Sequence, residues 1–514
     1  MKRTHGGLSL CLALALLAGG CGEPLFVDIS IEYSEPWLIM VYMAGANSLE
    51  SEGVVDLNNM ELGLSFLTEG EREKCRVVAL YDRIKEGTVS RGTAWKGTRL
   101  YEVLADSNTS VINSRVILSA SVGGTPWRTG ANDEEHMGNK ETLRQFVGWA
   151  REQYPQCTKQ ALILWNHGGG VAPAEIKAKT ITRNSEAQGV DLPGPSPVVC
   201  TDDEDYDAVS KEYGLDGQLF IAEIQEVLEK FYSEGSKLDL LGFDDCDMAM
   251  YEIAYQFRKC ASYMAAAPGL EYKGWNYSAL FQKIMEIRTG RDFAEQVART
   301  YQLSTELWYD TYDHCLSAFD LSVCDTLKEK VDTLAAELGA ALKNSDISKA
   351  QINAIREAAE IAYFKNEVSY TQENKESVHF PFYDLGSLCD AFITGTTETA
   401  IQTAAQDIKD VLAEGVLFAW KDNLSGHSPG VFEGAHIANG MSIFFSRGDR
   451  IYERKSHYAY HWFYTNEDTN EWKPGYYYGH LEAANSNCNG TVETWRELLE
   501  YMYDPNNTLT PGTW

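Results

Sequence analysis

Trp37-Leu-Ile-Met-Val-Tyr-Met43 is an unbroken apolar run the length of one β-strand, and it restricts the fold more than any other feature of the chain. A strand with one wet face alternates polar and apolar residues, whereas an unbroken run has to be covered on both faces. The pattern recurs in Arg76-Val-Val-Ala-Leu-Tyr81, Ala161-Leu-Ile-Leu-Trp165, Leu238–Phe243 and Tyr263–Ala267. Helical spacings lie between these runs: Leu57, Met60, Leu64 and Leu67, then Leu143, Phe146, Val147 and Ala150, then Ile221, Ile224, Leu228 and Phe231. Strands alternating with helices from 37 to about 280 predict an α/β layered fold, a largely parallel sheet flanked by helices.

In open α/β sheets, ligands bind in the crevice beyond the carboxyl ends of the strands. Two strands carry reactive side chains there. Ala161–Trp165 runs into Asn166-His167-Gly-Gly-Gly170, and Leu238–Phe243 runs into Asp244-Asp-Cys246-Asp-Met248. A thiol and an imidazole delivered by two strand ends make a nucleophile and its base, the equipment of a cysteine peptidase. His167 would take the thiol proton or give one to the leaving amine. Gly168–Gly170 let the backbone approach a substrate, and the amides of Gly168 and Cys246 are the candidate oxyanion donors. Taken singly these signals are weak, since a lone buried cysteine is usually structural and a lone histidine usually packed. Their placement at equivalent strand ends carries the reading.

Met248, Tyr251, Ala254 and Phe257 predict a helix starting right after Cys246, and a helix N-terminus lowers a thiol pKa. Asp244, Asp245 and Asp247 act the other way. Alternation along the strand puts Asp244 on the side of Cys246. A carboxylate there would hold a cationic substrate side chain, arginine best, through a bidentate pair. The expectation is cleavage after Arg, less well after Lys, with rejection of Asp and Glu.

The net charge of −31 argues against a nucleic-acid partner, whose binding rests on basic side chains. Lys2 and Arg3 followed by the apolar run Leu8–Leu17 mark residues 1–20 as a signal peptide. Leu17-Ala-Gly-Gly-Cys21 looks like a bacterial lipobox, with Leu one place further out than usual. Lipidation at Cys21 would make the membrane a partner, with 21–36 as tether; a bacterial cell-envelope lipoprotein or a secreted protein is expected. Setting aside Cys11 and Cys21 leaves nine of eleven cysteines, so at least one thiol stays unpaired, with Cys246 the best candidate. No C-x-x-C spacing occurs, so neither zinc nor a redox motif is indicated.

Ile39-Met-Val-Tyr-Met-Ala44, Ala161–Gly170, Asp244-Asp-Cys-Asp-Met248 and Gly274-Trp-Asn-Tyr277 together resemble the clostripain family of cysteine peptidases, in the same order. The resemblance covers about 36–280, with weaker echoes at Tyr383-Asp-Leu385 and Gly440–Phe445. It implies a caspase-like sheet, a dyad of Cys246 and His167, Asp244 as the specificity acid, and cleavage after basic residues in peptide or protein substrates. It also implies maturation by self-cleavage in the 171–215 loop, where Lys177, Lys179 and Arg183 are candidate sites. Two departures bear on the specificity pocket: Asp245 stands where the family often has Ala, and Ala265–Glu271 replaces a stretch usually carrying Ser and Glu. No cofactor is required by this chemistry. Some relatives depend on calcium, and Thr201-Asp-Asp-Glu-Asp-Tyr-Asp207 offers suitable oxygen ligands. It lacks the Gly and Glu positions of an EF-hand loop, so a solvated acidic loop is the favoured reading.

The resulting division is a caspase-like peptidase domain over 37–290 and an accessory region over 291–514. The latter reads as mainly helical to about 420, then holds a strand, Met441–Phe445, and an aromatic-rich tail with Trp462, Trp472 and Tyr476–Tyr478. Those aromatics are expected to pack on the main domain, with a carbohydrate-binding face as the alternative. The competing function is a catalytically silent surface lipoprotein binding basic peptides or glycans. Within enzymes, an amidase or ligase would use the same attacking groups. Gly426-His-Ser-Pro-Gly430 matches the serine-hydrolase elbow only by chance, because Pro429 has no N–H to give an oxyanion hole.

Overall fold

All nine residues of strand β1 (Trp37–Gly45) are buried, and they alternate between two hydrophobic clusters: Leu38, Met40 and Tyr42 face one, Trp37, Ile39, Val41 and Met43 the other. The unbroken run is thus the midline of a sheet covered on both sides. The computed structural model describes residues 35–83, 95–171, 198–201, 218–269, 271, 274–307, 315–359, 382–421, 440–445, 464–466, 471–472, 481–485 and 494–503.

In chain order the elements that build the site are β1, α1 (Glu50–Ser65), β2 (Cys75–Arg83), β3 (Gly97–Glu102), β4 (Arg115–Val116), α2 (Lys140–Gln153) and β5 (Lys159–Trp165). Then follow α3 (Ile221–Glu229), β6 (Leu238–Asp244), α4 (Tyr251–Phe257), β7 (Ala261–Ala266), α5 (Tyr277–Gln282), α6 (Gly290–Leu307), β8 (Cys315–Asp320), α7 (Cys324–Asn344), α8 (Thr399–Gly415) and β9 (Val416–Lys421). The nine strands form one mixed sheet in the order β9-β8-β7-β6-β5-β1-β2-β3-β4. Its centre, β7-β6-β5-β1-β2, is parallel throughout. Antiparallel pairs extend it, β8 and β9 at one edge and β3 and β4 at the other.

Helices α1, α5 and α6 bury Leu57, Leu280 and Phe293 on one face of this sheet. Helices α2, α3, α4, α7 and α8 bury Phe146, Ile224, Ile253, Leu334 and Ile408 on the other. The sheet runs across residue 290, because β8 and β9 come from the region read as accessory. Cys315-Leu-Ser-Ala-Phe-Asp320 has no unbroken apolar run to announce it, being an outer antiparallel strand.

The chain leaves β1 for β2 on one side and returns to β5 on the other, so the switch of direction falls between β1 and β5. That is where an open α/β sheet has its crevice. No helix among the described residues is long and apolar enough to cross a membrane.

Candidate active site

Strands β5 and β6 pair in parallel with Trp165 opposite Asp244, so the residues after them emerge side by side. The ladder continues one step, with the Asn166 amide donating to the Asp244 carbonyl at 3.3 Å. Asn166 then ties this corner to the end of β1: its side-chain amide donates to the Ala44 carbonyl, and its Oδ1 accepts from Asn47 Nδ2 at 3.2 Å and from the His167 amide. The imidazole follows directly, with Nε2 hydrogen-bonded to Ser48 Oγ at 2.9 Å.

Gly168 brings the histidine segment against the cysteine segment. A Cβ at this position would overlap the Cys246 carbonyl oxygen and lie 2.9 Å from Asp245 Cβ. Any side chain here would force the two strand ends apart.

The helix expected to begin at Cys246 begins instead at Tyr251. The segment after Cys246 is held by other strands rather than by a helix, with the Asp247 amide on Gly269 O at 2.7 Å, the Ala249 amide on Ala267 O at 2.9 Å and the Ser442 amide on Ala249 O at 2.9 Å. Met248 and Met250 are apolar because both sides of this strip are packed, which imitated helical spacing. Asp247 turns the chain with φ 61°, so Cys246 sits in a turn and lacks the help of a helix N-terminus.

Its Sγ accepts from the Glu271 amide at 3.3 Å and donates to the Glu271 carbonyl at 3.7 Å. Burial, and then the carboxyls of Asp247, Glu271 and Asp245, push the thiol well above its ordinary range. Cys246 is itself half-buried, and these effects favour its thiol over its thiolate.

Asp244 is buried on the neighbouring wall. Its Oδ1 accepts from the Trp275 amide at 3.1 Å and its Oδ2 from the Tyr277 hydroxyl at 2.6 Å. Burial pushes the carboxyl up to about 6, against the lowering effect of these bonds.

The sequence profile of the Clostripain family matches residues 41–189 and 203–495. Clostripain of Hathewaya histolytica is 24% identical over 521 residues, which span 92% of this chain and 88% of that protein. Two solved structures share the fold. The inactive zymogen of a C11 protease from Parabacteroides distasonis is 17% identical, with a TM-score of 0.51 over 80% of this chain and 93% of its own. A secreted C11 cysteine protease from Bacteroides thetaiotaomicron, solved with an irreversible peptide inhibitor, is 16% identical, with a TM-score of 0.50 over 81% and 94%. The chain belongs to the clostripain family. It is a cysteine peptidase, with the caspase-like sheet expected from its motifs.

Within this clostripain-family site, several residues were not singled out in the sequence. Asn47 and Ser48 follow β1 directly, and a position just past a central parallel strand was the available signal. Asp56, on α1, accepts from Trp165 Nε1 at 2.9 Å. Burial and the nearby Asp244 raise its carboxyl well above the usual range. Glu271 brings its carboxyl against Asp244 while its backbone covers Cys246, and burial and Asp244 raise it likewise. Nothing local in the sequence marks it.

Cys21, Lys177, Lys179, Arg183, residues 202–207, Gly426–Gly430, Trp462 and Tyr476–Tyr478 lie outside the described residues. The eight described cysteines, Cys246 among them, are all free. Among the described residues no group of three or more His, Cys, Asp or Glu is arranged to hold a metal ion.

Proposed function

We infer that this peptidase cleaves peptide bonds after arginine, and less well after lysine, by attack of Cys246 with His167 as its base. The observation carrying the specificity is Asp244: a buried carboxyl fixed by Trp275 and Tyr277, two residues before the nucleophile. Adjacent parallel strand ends, joined through Gly168, support the pairing of thiol and imidazole.

In this scheme His167 removes the Sγ proton as sulfur bonds to the scissile carbonyl carbon. The carbonyl oxygen gains negative charge opposite the amides of Gly168 and Cys246. His167 passes the proton to the leaving amine, a thioester remains on Cys246, and water releases the acid. An amine replacing water would give transpeptidation from the same thioester.

A thiol whose pKa is raised by its surroundings fits a resting form matured by self-cleavage between 171 and 215, at Lys177, Lys179 or Arg183. The likeness to clostripain supports the peptidase reading on which this preference rests. Lipid attachment at Cys21 would place the enzyme on the cell envelope. Calcium enters the proposal only as an addition to the assay, with residues 202–207 its candidate ligands.

The test is the full chain beside Cys246→Ala on fluorogenic peptides ending in Arg, Lys or Asp, with gels run in parallel. Turnover after Arg, lost in the variant together with clipping between 177 and 183, supports the proposal. Absence of turnover and clipping, with or without calcium, favours a silent binding protein for basic peptides or glycans.

A further inference from the structure

Asp56 takes no part in the reaction just described, yet it is buried, 5% exposed, on the face that carries Asp244. Its Oδ2 and Asp244 Oδ1 converge on one point. A Cβ built on Gly274 would lie 3.4 Å from the first and 3.1 Å from the second. Gly274 has φ 64°, where glycine is favoured, so the absent side chain leaves the gap between the carboxyls open. The Glu271 carboxyl faces Asp244 with both its oxygens buried. Among the described residues no Lys or Arg pairs with Asp56, Asp244 or Glu271.

A second mark of a missing ligand is independent of charge. The far edge of the Trp275 six-membered ring rests on Gly242, where a Cβ would be 2.5 Å from Cη2. The ring's Nε1 is buried and without an acceptor among the described residues. Buried polar groups are normally paired, and an orphan is a call for a partner. A lone donor on the residue whose amide binds Asp244, near carboxyls that no Lys or Arg meets among the described residues, suits a ligand with a cationic head and a carbonyl, as an arginyl residue in a peptide has.

We propose that Asp56 is a second specificity-determining residue, gripping with Asp244 the guanidinium of the substrate residue whose carbonyl is attacked. The inference rests on the basic-residue reading above and deepens it. Guanidinium presents five N–H donors in a planar fork and can serve two carboxylates at once; an ammonium is a compact point charge that needs only one. Asp244 therefore sets the demand for a cation, and Asp56 the preference for arginine over lysine.

The experiment compares full-length wild type, Asp56→Asn, Asp56→Glu and Asp244→Asn on paired Arg and Lys peptides across pH. Iodoacetamide labelling of Cys246 serves as the measure of an intact site. Asp56→Asn should lower kcat/KM for Arg by about ten- to hundredfold, mainly through KM, and for Lys by less than about threefold. Asp244 is also faced by Glu271, Tyr277 and Asp245, and Asp56 by Glu52. Asp244 raises the Asp56 carboxyl, so Asp56→Asn should remove from the acid limb of Arg turnover the part that Asp56 contributes, a change that lost packing would not produce. Asp56→Glu should keep more of the arginine preference than Asp56→Asn.

An unchanged Arg-to-Lys ratio in Asp56→Asn, while Asp244→Asn loses its selectivity for basic residues, overturns the inference alone. So does equal loss in both Asp56 variants, which would make Asp56 a support for Trp165. Selectivity for basic residues that survives Asp244→Asn, or an inert wild type, overturns the functional reading and this inference with it.

Discussion

The backbone of Glu271 occupies both hydrogen-bonding capacities of the Cys246 thiol, its amide donating to Sγ at 3.3 Å and its carbonyl accepting at 3.7 Å. A carbonyl partner stabilises the thiol form, and burial reinforces it. After burial, the largest effect raising the thiol comes from Asp247, itself raised by burial and held at φ 61°. Asparagine tolerates that backbone conformation. Asp247→Asn should therefore bring the Cys246 pKa down and speed its alkylation by iodoacetamide at pH 8 by about tenfold, the effect of one pKa unit. An unchanged rate-against-pH curve would remove Asp247 as a cause.

Asp244 sets a pH dependence whose sign is fixed by its burial. The carboxyl stays protonated up to about 6, and only the carboxylate attracts a cation. Turnover of an Arg peptide, as kcat/KM, should climb as pH rises through about 6, and Asp244→Asn should abolish the climb and lower the plateau by about a hundredfold. Stability runs the other way. The folded chain holds this proton more tightly than the unfolded chain, so Asp244 subtracts stability as pH rises from the ordinary 3.8 to about 6, by roughly 3 kcal/mol at most. Kinetics and thermal melts between pH 4 and 8 read both effects.

Gly168 is where the two halves of the site touch, and its lack of a side chain is a steric requirement. Gly168→Ala should cost about 3 kcal/mol, since the closest atom in the way is the Cys246 carbonyl oxygen, which cannot rotate aside. The expected result is a lower Tm together with lost turnover. Full activity at an unchanged Tm would show that the strand ends are free to separate.

What the sequence revealed follows from how locally each feature is encoded. Continuous burial of β1 and β5 is written in their own apolar residues, and the crevice follows from strand order, so His167, Cys246 and Asp244 were readable together. The turn at Cys246 was not, because Met248 and Met250 are apolar for reasons of pairing with Ala267 and Ser442, remote in sequence. Asp56 and Glu271 were hidden for the same reason. An acidic residue on a helix or in a loop reads as solvated, and only the convergence of α1, β6 and the segment before Trp275 buries it. The outer strand β8 was lost among helices because Ser317 and Asp320 interrupt its apolar run.

Ser48 leads to the last prediction. Its Oγ lies 2.9 Å from His167 Nε2, while Asn166 anchors the His167 amide. This bond fixes the orientation of the imidazole ring. Hydrogen bonds between neutral partners contribute about 0.5–1.5 kcal/mol, so Ser48→Ala should lower kcat by about three- to tenfold with KM unchanged. Ser48→Thr should restore most of the loss. His167→Ala, which removes the proposed base, should lower kcat by about a hundredfold or more. A rise in kcat for Ser48→Ala would mean the opposite, that Ser48 withholds Nε2 from the thiol and Nε2 is the nitrogen that serves catalysis.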